Sequence, residues 1–501
     1  MILLLVAQPV LAQLPIGKPE SVAVSASRLA EMDSVIEGEI ANRRLPGAVV
    51  FVGRKGRVVW HKSYGARVVE PAREPMTTET IFDVASLTKV VATATSIMIL
   101  VERGKLRLND SVSVHIPELK GEGRERVTIE QLLTHVSGYQ PDFDLRERWT
   151  GHNEAIKRLI AEPLRNPAGT RFTYSDIGFI ALGEIVARVS GLPLDQFAKK
   201  NIFEPLRMRD TGFRPSANLQ SRIAPTEKRR GQLSYLGDTP ANIGAEGEAW
   251  LRGQVHDPTS YRMDGVAGHA GLFSTATDLA IYCQMILNGG EYGGVRVLAP
   301  LTVAEMTRPR IVTQAGGTRG LGWDINSSFS SNRGELFPLG SFGHTGFTGT
   351  SIWIDPASEM FVVFLSNRVH PDGKGDVGPL RARVATIAAG SVTDTAVVSR
   401  AREQAANYYT ETIKSLQQFT SRLESATTSV KVLTGIDVLE RNGFKQLAGM
   451  RVGLVTNHTG RNREGRQTID VLSKAPNVKL VALFSPEHGI RGLLDDKISD
   501  S

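Results

Sequence analysis

A run of twelve residues without a charge, Val90 to Val101, is the stretch this chain must fold around. Lys89 precedes it and Glu102-Arg103-Gly104 follows it, and a glycine beyond the last turn is a usual helix stop. An uncharged helix belongs inside a protein, and a dozen apolar positions are too few to span a membrane. The sequence Phe82-Asp83-Val84-Ala85-Ser86-Leu87-Thr88-Lys89 therefore opens a buried central helix. Ser86 and Lys89 stand one turn apart on the same face, where hydroxyl and amine can touch.

That spacing has chemical meaning. A serine hydroxyl is a poor nucleophile until a neighbouring base takes its proton. Burial disfavours a charged lysine, so Lys89 is expected to be neutral and to serve Ser86 as that base. The helix N-terminus adds N–H donors where negative charge develops. As bare residues the pair also reads as a helix cap and a first-turn lysine reaching solvent, because a chain with this Ser and Lys content contains about one Ser-x-x-Lys by chance.

The rest of the chain bounds the possibilities. Its 501 residues imply two or more domains. The formal charge of +7 is spread along the chain with no nucleic-acid motif beside it, so no nucleic-acid partner is expected. A single cysteine, Cys283, excludes an intrachain disulfide and any multi-cysteine zinc site, and it sits in an apolar helical run as a buried structural thiol. No cofactor or metal site is expected. Met1 to Ala12, with Val10-x-Ala12 as a small-residue cleavage site, reads as a signal peptide lacking its basic n-region; the bland alternative is a buried strand or helix.

In order, residues 24–44 form an amphipathic helix, and Ala48 to Val52 and Arg57 to His61 a hairpin turning at Gly53-Arg54-Lys55-Gly56. After the central helix comes a mostly helical region. Thr128-Ile129-Glu130-Gln131 is a capping box, Tyr174-Ser175-Asp176 leads a helix stopped at Gly191, and another begins near Thr277-Asp278. Strands follow over Leu321 to Ile325, Thr350 to Ile354 and Met360 to Leu365, so one sheet is built from both chain ends. Residues 380–390 suit a closing helix and 396–430 a polar, helix-prone linker. Residues 431–501 hold a strand at Val452 to Thr456, a helix at Thr468 to Lys474 and a strand at Val478 to Phe484, one βαβ unit.

Ser86-x-x-Lys89, Tyr174-Ser175-Asp176 and His344-Thr345-Gly346 occur in the order that resembles the serine β-lactamase and penicillin-binding protein superfamily. The branch is that of class C-like β-lactamases, D-alanyl-D-alanine peptidases and esterases, and the resemblance spans residues 20–390. His135-Val136-Ser137-Gly138, Gly271-Leu272-Phe273-Ser274 and Gly343 to Ser351 also resemble family stretches. It implies an α/β fold with an antiparallel sheet flanked by helices and an all-helical subdomain. Ser86 would be the acylated nucleophile, Lys89 its partner and Tyr174 the second base. Asp176, His344, Thr345, Gly346 and Phe347 would bind substrate, with the N–H groups of Ser86 and Phe347 as oxyanion hole. Asp176 stands where β-lactamases usually carry Asn, and His344 where many relatives carry Lys, which disfavours a substrate carboxylate. His135 and His269 read as structural.

Arg451 to Gly460 and Phe484-Ser485-Pro486-Glu487-His488-Gly489 resemble the start of an exo-β-N-acetylmuramidase family, whose domain is Rossmann-like. Glu487 would be an acid with His488 beside it, and Asn457 and His458 would line the pocket. About seventy residues of that domain are present, an incomplete unit. Together these features lead to the expectation of a periplasmic or secreted serine hydrolase, cleaving an amide, ester or β-lactam bond in a small molecule or peptidoglycan fragment. The alternatives are a slowly acylated penicillin- or peptidoglycan-binding module and, with a complete second domain, a glycosidase. No membrane insertion beyond the signal peptide is expected, and the oligomeric state stays open.

Overall fold

The structure, a computed structural model, describes residues 13–228, 250–429, 434–457 and 459–485. The expected signal peptide, His458, Glu487 and His488 lie outside the described residues. The chain divides into two compact units, residues 1–423 and 424–501.

The first unit is organised by an antiparallel sheet. Two long strands, β1 (Gly47–Arg54) and β2 (Arg57–Val68), form the expected hairpin. Its turn falls at Lys55-Gly56, with φ of 48° and 71°, the left-handed pair that matches the twist of adjoining strands. β3 (Glu74–Pro75) pairs with β2. From the later chain come β4 (Arg310–Ile311), β5 (Thr318–Arg319), β6 (Asp324–Asn326), β7 (Phe342–Thr345), β8 (Ser351–Asp355) and β9 (Met360–Ser366). The order is β3-β2-β1-β9-β8-β7-β6-β5-β4, so β1 meets β9, with Val50 opposite Phe364. Both chain ends thus build one sheet. The expected strand Leu321 to Ile325 is corrected: Gly322, at φ 83°, closes a turn in which Gly320 N–H donates to Trp323 O, splitting the run into β5 and β6.

Successive residues of a strand point to opposite faces, and both faces are covered. Val49, Phe51, Phe361 and Val363 join the larger core, with α2 (Thr95–Glu102), α3 (Asp176–Ser190) and α4 (Ala276–Leu287). Val50, Val52, Val362 and Phe364 join a second core with α1 (Glu31–Ala41) and α5 (Gly378–Gly390). Each such side chain taken fully from water contributes about 1.5–3 kcal/mol. Cys283 lies buried in α4, as its neighbours imply.

The central helix begins as a π-helical segment, Lys89–Ala94, and continues as α2. Every residue from Lys89 to Leu100 is buried, and Gly104 ends the helix in the left-handed conformation. Single π turns recur at functional sites because they re-aim side chains by a fraction of a turn.

The expected linker over 396–430 is corrected. α6 (Val397–Ser429) is one helix whose described side chains pack on the first unit: Tyr408 and Phe419 are buried, and Ser415 Oγ accepts the Ile311 N–H at 2.7 Å. The helix thereby covers the edge strand β4, whose unpaired N–H groups would otherwise face solvent. Its composition is polar because the helix buries only one stripe.

The second unit is smaller. β10 (Arg451–Val455) and β11 (Lys479–Phe484) pair in parallel, and α8 (Thr468–Ser473) connects them. With α7 (Gly435–Arg441) they enclose Ile436, Phe444, Val471 and Leu472. This is the βαβ unit anticipated, preceded by a capped helix.

Candidate active site

Ser86 lies in the turn between the short strand Phe82–Asp83 and the central helix. Ala85, just before it, has φ 47°, an uncommon conformation for a residue with a Cβ that costs on the order of 1–3 kcal/mol. Three bonds hold it there. Asp83 Oδ1 accepts the Ala85 N–H at 2.9 Å, Asp83 Oδ2 accepts the His256 N–H at 2.7 Å, and Thr88 Oγ1 donates to Ala85 O at 2.6 Å. Burial pushes the Asp83 carboxyl up to about 6 against the pull of those two N–H groups.

Lys89 Nζ meets three oxygens: Ser86 Oγ at 3.0 Å, the His269 carbonyl at 3.0 Å and Asp176 Oδ1 at 2.6 Å. Burial opposes its charge, as the sequence implies, but the Asp176 carboxylate and then Tyr174 outweigh it and raise Lys89 to about 12. The expected neutral lysine is corrected: in the resting site it is an ammonium. The expectation for Asp176 shifts with it. Its carboxylate faces Lys89 as counter-ion, so the position where β-lactamases usually carry Asn sets the charge of the lysine.

Tyr174 stands at the start of α3, and Ser175 is the cap, its Oγ accepting the Gly178 N–H at 3.2 Å. The phenol ring is sandwiched between His135, centroids 4.4 Å apart, and Phe329, at 5.1 Å. Lys89 Nζ sits 4.9 Å from its centroid. His135 Nδ1 accepts the Ser175 N–H at 3.0 Å, and burial, then Arg319 and Lys89, hold its imidazole well below the usual range. It supports the tyrosine as a neutral ring.

Strand β7 carries His344 and Thr345 along the pocket edge. His344 Nδ1 lies 2.8 Å from Thr345 O. A carbonyl only accepts, so Nδ1 carries the proton. Burial, then the charges of Arg319 and Lys89, keep this imidazole well below the ordinary range, so Nε2 presents a lone pair. Nε2 has no partner among the described residues.

The turn after β7 is fixed to the nucleophile's segment. Thr348 Oγ1 donates to Asp83 O at 2.7 Å and Thr350 Oγ1 to Val84 O at 3.0 Å. A Cβ at Gly346 would collide with Thr350 Oγ1 and the Val84 carbonyl, so only glycine allows this approach. Two arginines of the same cavity brace it: Arg381 Nη2 donates to Gly346 O at 2.9 Å and Arg368 Nε to Phe347 O at 2.8 Å. With those carbonyls occupied, the peptides beside Ser86 have a fixed orientation.

Ser86, Tyr174, His344, Thr345, Gly346 and Phe347 line one cavity of about 430 Å³, with Lys89 and Asp176 behind its wall. Sequence reasoning missed Arg319, Arg368 and Arg381, which share that lining, because isolated arginines in a basic chain carry no spacing signal. Asp176, Asp257 and His269 bring one ligand atom each within 4.8 Å of one another. Lys89 already supplies the positive charge there. Asn457 belongs to the second unit, where its Oδ1 accepts from Thr459 N–H at 3.0 Å and Oγ1 at 2.6 Å, a turn contact after β10.

Residues 32–387 match the Beta-lactamase family, and residues 452–501 match the family Exo-beta-N-acetylmuramidase NamZ, N-terminal. The chain is 34% identical to an N-acetylmuramyl-L-alanine amidase of Bacillus subtilis strain 168, over 70% of this chain and 83% of the relative. It is 32% identical to a protein of Salmonella enteritidis PT4 named provisionally as a D-alanyl-D-alanine carboxypeptidase, over 71% and 86%. A penicillin-binding protein homologue from Caulobacter crescentus shares the fold, with a TM-score of 0.60 and 22% identity over 74% of this chain and 98% of that one.

Proposed function

The chain belongs to the Beta-lactamase family through residues 32–387, and from that premise we propose that it is an exported serine acyl-hydrolase cleaving an amide bond in peptidoglycan fragments. The observation that carries the reading is Lys89 Nζ at 3.0 Å from Ser86 Oγ with Asp176 at 2.6 Å behind it. Peptidoglycan as substrate class is supported by the named relatives and by the muramidase-like second unit. Export is supported by the apolar start of the sequence and by that substrate, which lies in the cell envelope.

In this reading Ser86 Oγ attacks the scissile carbonyl carbon while its proton moves toward Lys89. Lys89 is an ammonium at rest, so it accepts only after passing a proton to the Asp176 carboxylate, and it later returns a proton to Tyr174 once the phenol has given up its own. Tyr174 then delivers a proton to the leaving nitrogen as the C–N bond breaks, and Ser86 is left as an ester. Water enters by the reverse path and releases the acid. The N–H groups of Ser86 and Phe347 hold the tetrahedral oxyanion, a contribution of about 2.7–4 kcal/mol per donor in comparable sites.

His344 shapes the choice of substrate. A neutral imidazole presenting Nε2 offers neither charge nor donor to a carboxylate. Efficient penicillin turnover is disfavoured. The test is intact-protein mass after incubation with N-acetylmuramoyl-L-alanine, a D-Ala-D-Ala peptide, benzylpenicillin and p-nitrophenyl acetate, beside product release. Turnover of the muramoyl amide that vanishes in Ser86→Ala supports the reading; undiminished turnover in Ser86→Ala overturns it.

A further inference from the structure

We infer that Asp257 and His269 form a positioning pair beneath Lys89, fixing the carbonyl that holds its ammonium and setting the charge next to it. The inference rests on the reading of Ser86 and Lys89 given above. Neither residue touches the reacting atoms, so both act through Lys89.

Of the three oxygens around Lys89 Nζ, one is the main-chain carbonyl of His269. Its position depends on how residues 268–270 are held. Thr93 Oγ1 donates to Gly268 O at 2.6 Å, and Ser260 Oγ donates to Ala270 O at 3.0 Å. Gly268 also packs so closely on the Phe179 carbonyl that a Cβ there would collide with it. Between these two anchors the His269 side chain provides the third. Its ring is fully buried, and Nε2 lies 2.8 Å from Asp257 Oδ1. If that bond is lost, the carbonyl between the anchors can rotate, and Lys89 loses the partner that aims it at Ser86.

The same Oδ1 of Asp257 accepts the Ser260 N–H at 2.7 Å, capping the short helix Pro258–Arg262. A bland account of Asp257 is that it is only this cap. The cap role and the charge role come apart in one substitution, because Asn caps a helix about as well as Asp. Asp257→Asn keeps an oxygen for Ser260 and removes the negative charge that His269 faces.

The titratable groups around the pair are Asp257 itself, Asp176 from α3, Asp142 from the loop before it, and Lys89 from the central helix. Asp142 is buried and both its oxygens lie 2.9 Å from Thr259 Oγ1. Burial lowers the His269 imidazole, but Asp257 and then Asp176 outweigh it and Lys89 opposes them, leaving it above the ordinary value. The Asp257 carboxylate thereby favours positive charge on His269, and positive charge there opposes the Lys89 ammonium, which eases release of its proton.

The experiment uses the full chain and p-nitrophenyl acetate, reading kcat, KM and the pH profile together, with the unfolding midpoint as control. Asp257→Asn is expected to keep its unfolding midpoint and its KM within about twofold. Its kcat should fall by about tenfold, inside the ~10²-fold loss that a misplaced catalytic group can cause. The ionisation that belongs to His269 should move to lower pH, because the carboxylate no longer holds its proton. His269→Gln, which retains a donor for Asp257, should recover part of what His269→Leu loses. A kcat and pH profile in Asp257→Asn matching the unsubstituted protein would overturn the inference, as would a loss confined to KM. If His269→Leu does not fold, Asp257→Asn decides alone. Failure of the underlying reading looks different: p-nitrophenyl acetate would then be turned over by Ser86→Ala.

Discussion

The nine-stranded sheet of the first unit and the parallel strand pair of the second are built on opposite plans. In β1 and β9 every residue is buried, because helices cover both faces. In β10 and β11 alternate residues stay exposed: Val455 keeps 68% of its surface and Phe484 57%. The difference teaches where a site can be precise. A strand packed on both faces cannot shift its register without moving side chains from one core to the other. β7, inside the first sheet, can therefore hold His344 and Thr345 at fixed distances from a nucleophile that arrives from another part of the chain. β10 ends at a turn where Asn457 bonds to its own neighbours.

The largest effect expected from this contrast is chemical. Ser86→Ala should lose at least about 10³-fold in acylation, as removal of a nucleophile does, with unfolding unchanged to within about 1 kcal/mol. Mass spectrometry with a fluorescent penicillin or phosphonate measures it, and residual stoichiometric labelling would remove Ser86 from the mechanism.

The packing contrast is tested next. Phe361→Ala, in the buried sheet, should cost about 3–5 kcal/mol in chemical denaturation. Phe484→Ala, on the exposed face of the second unit, should cost less than about 0.5 kcal/mol. Similar costs would break the comparison.

Tyr174→Phe should lose about 100-fold in turnover, the usual scale for a proton-transfer group. The ring sandwich with His135 and Phe329 survives that change, so the loss should fall on kcat and leave KM alone. His344→Lys is a smaller change. It replaces an acceptor by a cation, and the ratio of benzylpenicillin to p-nitrophenyl acetate turnover should rise by about tenfold, on the order of one charge-assisted hydrogen bond. A falling ratio would show that another group meets the carboxylate.

A further effect is on stability against pH. Burial pushes Asp142 up to about 8, with Asp257 and Asp176 adding to it. The folded protein then binds a proton that the unfolded chain has released, so stability falls as pH rises from about 4 to about 8. Asp142→Asn should match the parent near the lower limit and exceed it progressively toward the upper one. Asp437, in the second unit, is shifted the other way by the Thr434 hydroxyl and the Arg463 N–H. Its contribution is present above the usual carboxylate range and lost as pH falls. Lys89, raised to about 12 through Asp176, adds stability that is fully present below about 10.5 and lost above.

Much of this architecture follows from local pattern. The uncharged run after Lys89 demands burial on every side, and Lys89–Leu100 is buried throughout. Alternation and turn glycines set the first hairpin, and a serine before an apolar helix with a glycine after it delimits α3. The order of Ser86, Tyr174 and His344 placed the family, because each belongs to a short motif whose spacing survives in one dimension.

What the sequence determined by itself is which segments are apolar, where they start and stop, and which residue types stand at the motif positions. Only the tertiary structure decided the charges. Burial predicts a neutral Lys89, but Asp176, 87 residues further along, lies 2.6 Å away and reverses the sign. The tautomer of His344 is fixed by the carbonyl its ring meets, and the helix-prone stretch expected as a linker packs over the edge strand β4. Electrostatic energy depends on distance and dielectric between particular atoms, and neither is a property of position in the chain.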